Sequence, residues 1–199
     1  KRFARIAFLT EVFSVLIVCL TLFYILSNHY FEYKYAFEHT SLELEPKYLF
    51  SAFWTNQQGS FLLWSFWHCI LGLIIMRTAK KREAPVMAVI SFVQACLATM
   101  VLGIYFFGHK VGDSPFALLR DAGVFSPNNA PVMFDLNGVL KSDYLSFVKD
   151  GNDLNILLQN YWMVIHPPVL FLGFASTIVP FAYAYAGLQS KKFGDWVKP

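Results

Sequence analysis

Charge is scarce in this sequence. Only 15% of its 199 residues are charged, against about 25% in soluble domains, while 56% are hydrophobic and 18% aromatic. The apolar residues cluster in long runs, which excludes an ordinary water-soluble domain. Cysteine is also rare. Cys19, Cys69 and Cys96 all fall inside apolar runs, which argues against a disulfide framework. No Cys-x-x-Cys-His occurs, so the segment is not itself a c-type cytochrome, and no zinc-ligand spacing appears. An initial Met and a cleavable signal pattern are lacking. With the basic stretch from Lys191 to Pro199 at the other end, the chain is expected to be a piece of a longer protein. There is no internal repeat or low-complexity tract, and no nucleic-acid partner is expected.

Four segments are long and apolar enough to span a bilayer, which takes about 20 residues: 6–27, 57–76, 86–108 and 168–188. Ten of the sixteen Lys and Arg residues sit in three short stretches. These are Lys1, Arg2 and Arg5; Arg77, Lys80, Lys81 and Arg82; and Lys191, Lys192 and Lys198. The positive-inside rule places these stretches in the cytoplasm and the connections 28–56 and 109–167 outside. The expected architecture is an all-α integral membrane protein with four transmembrane helices and both ends inside. A surface helix precedes the fourth span: Asn152 or Asp153 can cap it, and Leu154, Leu157, Leu158, Tyr161 and Ile165 fall at helical spacing.

His166 stands in Ile165-His166-Pro167-Pro168, where this surface helix meets the fourth span. Proline suits a first helical turn, so Pro167 and Pro168 are expected to start the span. A residue before proline is pushed toward extended backbone, which would leave His166 just outside the helix. Neutral imidazole is the form that binds iron or zinc, and the positive helix start disfavours imidazolium. Tyr161, Trp162, Phe171 and Phe174 are candidates for a flat apolar wall against a porphyrin. Spacing alone leaves two readings open, a haem ligand and a helix-start histidine bonded to a carbonyl or headgroup.

A second constellation runs from Trp54 to Trp64 at the outer entry of the second span. Gly59 allows close backbone approach, and Ser60 can cap the helix that follows. An aromatic belt at the interface accounts for the indoles, though not for the polar run 55–58 between them. His68 lies at membrane depth, where an ionisable group is a functional candidate; a neutral histidine bonded to a neighbouring helix is the alternative. Glu11 is placed to pair with another helix or to lie in the inner interface. His29, His39 and His109 read as solvated loop histidines.

Trp54-x-x-x-Gln58-Gly59-Ser60-x-Leu62-Leu63-Trp64 resembles the W-x-x-x-E-G-S-x-L-L-W signature of CcmF-type cytochrome c assembly proteins. Asn155-x-x-Leu158-Gln159, followed by His166-Pro167-Pro168-x-Leu170-x-x-Gly173, resembles that family's second signature, in the family's order. The wider haem-handling group includes NrfE- and CcsA-type proteins. Gln58 stands where the family has Glu, and the connection 111–151 is longer than the family leads one to expect.

The resemblance implies a component of a membrane haem lyase that delivers haem b to apocytochrome c on the periplasmic side of the bacterial inner membrane. It implies His166 as an axial ligand to haem iron, with Trp54, Gly59, Trp64, Trp162, Pro167 and Pro168 around the cofactor; no catalytic acid or base is assigned. The second axial ligand and a Trp-rich haem segment are expected beyond Pro199, and a further helix before Lys1. A CcmE-type haem chaperone, a CcmH-type apocytochrome-presenting protein and apocytochrome c itself are the implied partners, in a lipid bilayer. Two other readings stay open: a haem transporter that forms no covalent bond, and a non-catalytic membrane subunit of a respiratory complex.

Overall fold

A long apolar run in lipid must satisfy its own backbone polar groups, and the α-helix does so within one segment. The computed structural model describes residues 2–191. Its helices are α1 (Arg2–Ser27), α2 (Lys34–His39), α3 (Leu49–Trp54), α4 (Gln57–Thr78), α5 (Glu83–Leu102), α6 (Tyr161–Ser176) and α7 (Ile178–Ser190). Four helical segments are long and apolar enough to cross a membrane: α1, α4, α5, and α6 with α7 taken together. The short α2 and α3 fill the first long connection. An antiparallel hairpin, β1 (Ile104–Phe106) with β2 (His109–Val111), opens the second.

Two expected span boundaries and one expected element differ. The third span ends at Leu102 and not at 108, because Gly103 takes the left-handed conformation (φ 67°) and closes the helix. Residues beyond it turn back through Phe107 and Gly108, whose positive φ of 47° and 80° suit a two-residue hairpin turn. The surface helix expected from 152 is absent. Asp153 has φ 65°, and only the single 3-10 turn Ile156–Leu158 forms. Local bonds compete with the helix there: Asp153 Oδ1 accepts from Leu154 N–H, and Asn155 Oδ1 from Leu157 N–H. Leu154 is buried, but Ile156 and Leu157 are 81% and 77% exposed, so the apolar stripe covers no single face. The fourth span begins at Tyr161, a full two turns before the expected 168. Asn160 caps it by accepting from Met163 N–H at 3.1 Å. The basic residues Lys1, Lys192 and Lys198 lie outside the described residues.

The helix α4 packs against α1, α3, α5 and α6, and α5 against α7. Small residues permit these approaches. A Cβ on Gly72 would lie 2.2 Å from the Phe8 ring of α1. Ala182 and Ala186 of α7 are fully buried in one cluster with Val86 and Ile90 of α5. At the basic end Arg5 grips Glu83 through both Nε and Nη2, the latter at 2.7 Å, and Nη2 also reaches the Met76 carbonyl at 3.2 Å. Glu83 is 3% exposed, and a buried carboxylate needs such a partner. This bond fastens the start of α1 to the α4–α5 turn.

The loop-bearing end has its own core, formed by Leu22, Leu26, Tyr35, Ala52, Phe53 and Leu62 among others. The long second connection is laced to α2 and its flanks. Leu119 N–H bonds the Glu32 carbonyl at 2.9 Å, and Asn152 N–H bonds the Phe37 carbonyl at 2.7 Å. Ser41 Oγ donates to Asp153 at 2.9 Å. The chain therefore enters α6 from a fixed start.

Replacing Gly72 with Val is expected to cost about 1–3 kcal/mol by overpacking the α1–α4 crossing. Thermal unfolding of the full-length protein in detergent checks this, and an unchanged midpoint would contradict the crossing.

Candidate functional site

Proline has no N–H, so Pro167 within α6 leaves the carbonyl of Met163, four residues earlier, without its helical donor. The Trp54 indole Nε1–H donates to that carbonyl at 2.9 Å. This is why the helix runs through Pro167 and Pro168 instead of starting at them: a group from another element re-satisfies the freed carbonyl, as membrane helices with internal prolines require. His166 accordingly stands in the second turn of α6, and not in extended backbone outside it.

The first signature builds the elbow between α3 and α4. Asn56, and not Ser60, caps α4, accepting from Gln57 N–H at 2.8 Å. Ser60 Oγ donates back to the Trp54 carbonyl at 2.9 Å. Tyr35 Oη donates to the Phe53 carbonyl at 2.8 Å. Gly59 is required because a Cβ there would sit 1.7 Å from that Phe53 oxygen and 2.5 Å from Tyr35 Oη. Burial pushes the Tyr35 phenol up, with the Asn56 and Gly59 backbone pulling it partly back, so Tyr35 stays a donor. His39, expected to be a solvated loop histidine, is half-buried in α2. It stacks on Tyr35 at 4.7 Å, and its Nδ1 lies 2.9 Å from the Tyr35 carbonyl oxygen. Burial lowers its pKa, against the opposing pull of that hydrogen bond.

Gln58 is buried, and its Nε2 donates to Asp113 Oδ2 at 3.3 Å. Asp113 also takes Lys110 Nζ at 2.6 Å. Burial works against the Asp113 carboxylate, but the Lys110 hydrogen bond and charge, helped by Lys34 and the Ser114 backbone, prevail and hold its pKa below the ordinary value. A Glu at 58, as in the resembled signature, would bring a second carboxylate to Asp113. The amide at 58 therefore suits the Asp113 carboxylate that faces it.

The second signature builds the approach to α6. Gln159 Nε2 bonds Asp153 Oδ2 at 3.0 Å and the Leu154 carbonyl at 2.8 Å, while Leu158 packs on the loop-end core. One side of α6 then faces α4. Trp64 meets the Phe171 ring at 6.1 Å and the Phe174 ring at 5.8 Å, and Ala175 is fully buried. The other side is bare. Trp162, His166, Val169 and Gly173 follow helical spacing along one face, and all four are exposed, Trp162 at 72%. Nothing lies within 4 Å of a Cβ placed on Gly173.

The expected site residues thus divide. Trp54, Gly59, Trp64, Pro167 and Pro168 come together as the frame behind α6. Trp162 and His166 stand in front of it, one turn apart. Of the expected aromatic wall, Phe171 packs behind, Phe174 reaches back to Trp64, and Tyr161 and Trp162 are exposed. Among the described residues no three His, Cys, Asp or Glu side chains converge to hold a metal, so this face offers one imidazole.

His68 is buried between helices, 6.2 Å from the Trp64 ring, with Gln94 of α5 and the Ala175 backbone as polar neighbours. Gln94 Nε2 reaches the Ser65 carbonyl and Cys69 Sγ, each at 3.3 Å. Glu11 faces the same region from α1, where it lines a cavity of about 290 Å³ with Ser65 and Gln94. Glu11 does turn toward another helix. Gln94 and Asp113 were missed in the sequence; a polar residue inside an apolar run was the available signal for Gln94.

Fold and site together define a multi-pass helical membrane protein that displays a histidine on a proline-containing helix. Residues 54–198 match the family described as Cytochrome C assembly protein, and the chain belongs to that family. It is similar to the cytochrome c-type biogenesis protein CcmF of Haemophilus influenzae, with 26% identity over 190 residues, 94% of this chain and 25% of the relative. It is likewise similar to CycK of Rhizobium meliloti, with 29% identity over 205 residues, 98% of this chain and 25% of the relative. The probable biogenesis protein NrfE of Escherichia coli is 25% identical over 194 residues, 96% of this chain and 28% of the relative. The chain spans about a quarter of the length of the curated relatives it matches. No solved structure matches it.

Trp54→Phe is expected to lower stability by about 1–2 kcal/mol through the unpaired carbonyl. Pro167→Ala returns an N–H to that carbonyl, so the loss should shrink in its presence. A double-mutant cycle on unfolding midpoints reads the coupling, and zero coupling would refute the assignment. Gln58→Glu is expected to destabilise by a similar amount, and Asp113→Asn to restore the pair. Because the Asp113 pKa is depressed on folding, its contribution is present above the ordinary aspartate value and fades as pH falls through the lower folded value. Unfolding midpoints of Asp113→Asn should lose that acid dependence.

Proposed function

We propose that this chain forms one wall of a haem-handling site in a cytochrome c assembly protein, with His166 as an axial ligand to the iron. The observation that carries this reading is the bare face of α6. Trp54, Gln58, Gly59, Ser60, Trp64, Asn155 and Gln159 of the two signatures are engaged in the frame, whereas no side chain among the described residues bonds the His166 ring. A single exposed imidazole suits one axial position, and the open space at Gly173 together with Trp162 suits a flat apolar ring.

The bound haem would contribute vinyl groups for thioether attachment to the cysteines of an apocytochrome c. The work of this chain is positioning. Trp54 and the α3–α4 elbow hold α6, α6 holds the imidazole, and Trp162, exposed on the same face, would pack against the ring. His166 would hold the iron through its imidazole, and such a ligand would tune the iron's potential. The expected setting is the inner membrane of a bacterium, with the loop-bearing end periplasmic. CcmE-type and CcmH-type proteins would meet this end to bring haem and present apocytochrome.

In the full-length protein, His166→Ala is expected to reduce both co-purified haem and covalent cytochrome c to below about a tenth of wild type, with partial rescue by imidazole. Gly173→Phe should do the same with an unchanged unfolding midpoint, since it fills the bare face. Normal cytochrome c maturation in His166→Ala would overturn the reading. Haem retained by the wild type without thioether product, when apocytochrome is supplied, would favour the transporter instead.

A further inference from the structure

At the basic end, between α1 and the α4–α5 turn, lies a cavity of about 360 Å³. Phe8, Met76 and Met87 form its apolar wall, while Lys80 and Lys81 stand exposed at its rim. Arg5 and Glu83 also line it, so among the described lining residues three basic groups meet one acidic group. The Glu83 carboxylate is held by Arg5 through two bonds. Lys80 takes a left-handed backbone conformation (φ 45°), a costly one for a residue with a side chain, in the turn that sets both lysines at the rim. The N-terminus of α5 opens at the same place and adds positive potential.

We propose that this cavity binds the headgroup of an anionic phospholipid. Charge complementarity selects the anion, and a basic pocket between membrane helices is suited to such headgroups. The apolar wall selects a lipid over a soluble anion, because it would receive the glycerol end and first chain carbons at the depth where the helices enter the bilayer. The bound lipid would bridge α1 to the α4–α5 turn, reinforcing the contact that Arg5 and Glu83 make.

The test uses the full-length protein in detergent, titrated with dioleoylphosphatidylglycerol or dioleoylphosphatidylcholine and read by native mass spectrometry. Phosphatidylglycerol should bind at least about tenfold more tightly than phosphatidylcholine. Lys80→Gln with Lys81→Gln should lose about 25-fold, from about fivefold per lysine. Ala84→Trp, which fills the cavity from an exposed lining position and leaves every charge in place, should lose the preference too. Arg77→Gln, at the nearby end of α4 but outside the lining of this cavity, should change affinity by less than about twofold. Wild-type binding in the double lysine variant would overturn the proposal, as would wild-type binding in Ala84→Trp. An equal loss in Arg77→Gln would also overturn it, by assigning the effect to general surface charge. Competition by millimolar inorganic phosphate as effective as that by the lipid would overturn it in favour of a soluble-anion site.

Discussion

The bond from the Trp54 indole to the Met163 carbonyl is the constraint on which the loop-bearing end depends. Two adjacent prolines inside a membrane helix are costly unless something outside the helix takes up the carbonyls they release. Trp54 does this for Pro167 at 2.9 Å, and in doing so it fixes α3 against α6. Trp54 can reach only because α3 folds sharply back on α4. That fold rests on Gly59, where the Phe53 carbonyl and Tyr35 hydroxyl occupy the space of a side chain. His166 inherits its position from this sequence of contacts and touches none of it.

Two sets of residues that a sequence motif writes together therefore do different work. Ser60, Gly59, Gln159 and Asn160 satisfy backbone groups or permit close approach. Trp162, His166 and Gly173 do neither and remain open. The Gln58–Asp113 pair follows the same logic at the level of charge. An amide beside a carboxylate is a donor beside an acceptor, whereas two carboxylates would repel.

Much of this was legible in the sequence. The four apolar runs became four spans, and Gly59 was recognisable as a point of close approach. The two signatures were legible as a family resemblance, whereas the contact between their elements, Trp54 to Met163 and Trp64 to Phe171, was not. What failed did so for physical reasons. Local rules made Pro167 a helix start, and a donor from far along the chain overrode them. The apolar stripe after 152 promised a helix, but Asp153 with positive φ and the short-range bonds of Asp153 and Asn155 took the backbone elsewhere. His39 read as a loop histidine because α2 was not expected there; once that helix forms, Tyr35 lies one turn away and stacks on it. Asp113 is 55 residues from Gln58, beyond the reach of any pattern in one sequence.

The order of synthesis gives the Trp54–Met163 bond a further meaning. Trp54 precedes Met163 by 109 residues, and at ribosomal speeds that interval is roughly 5–20 s. The donor is thus made, and its elbow can fold, well before the acceptor emerges. When α6 enters the bilayer its interrupted helix meets a waiting partner, so vectorial translation spares the lipid a helix with an open backbone carbonyl.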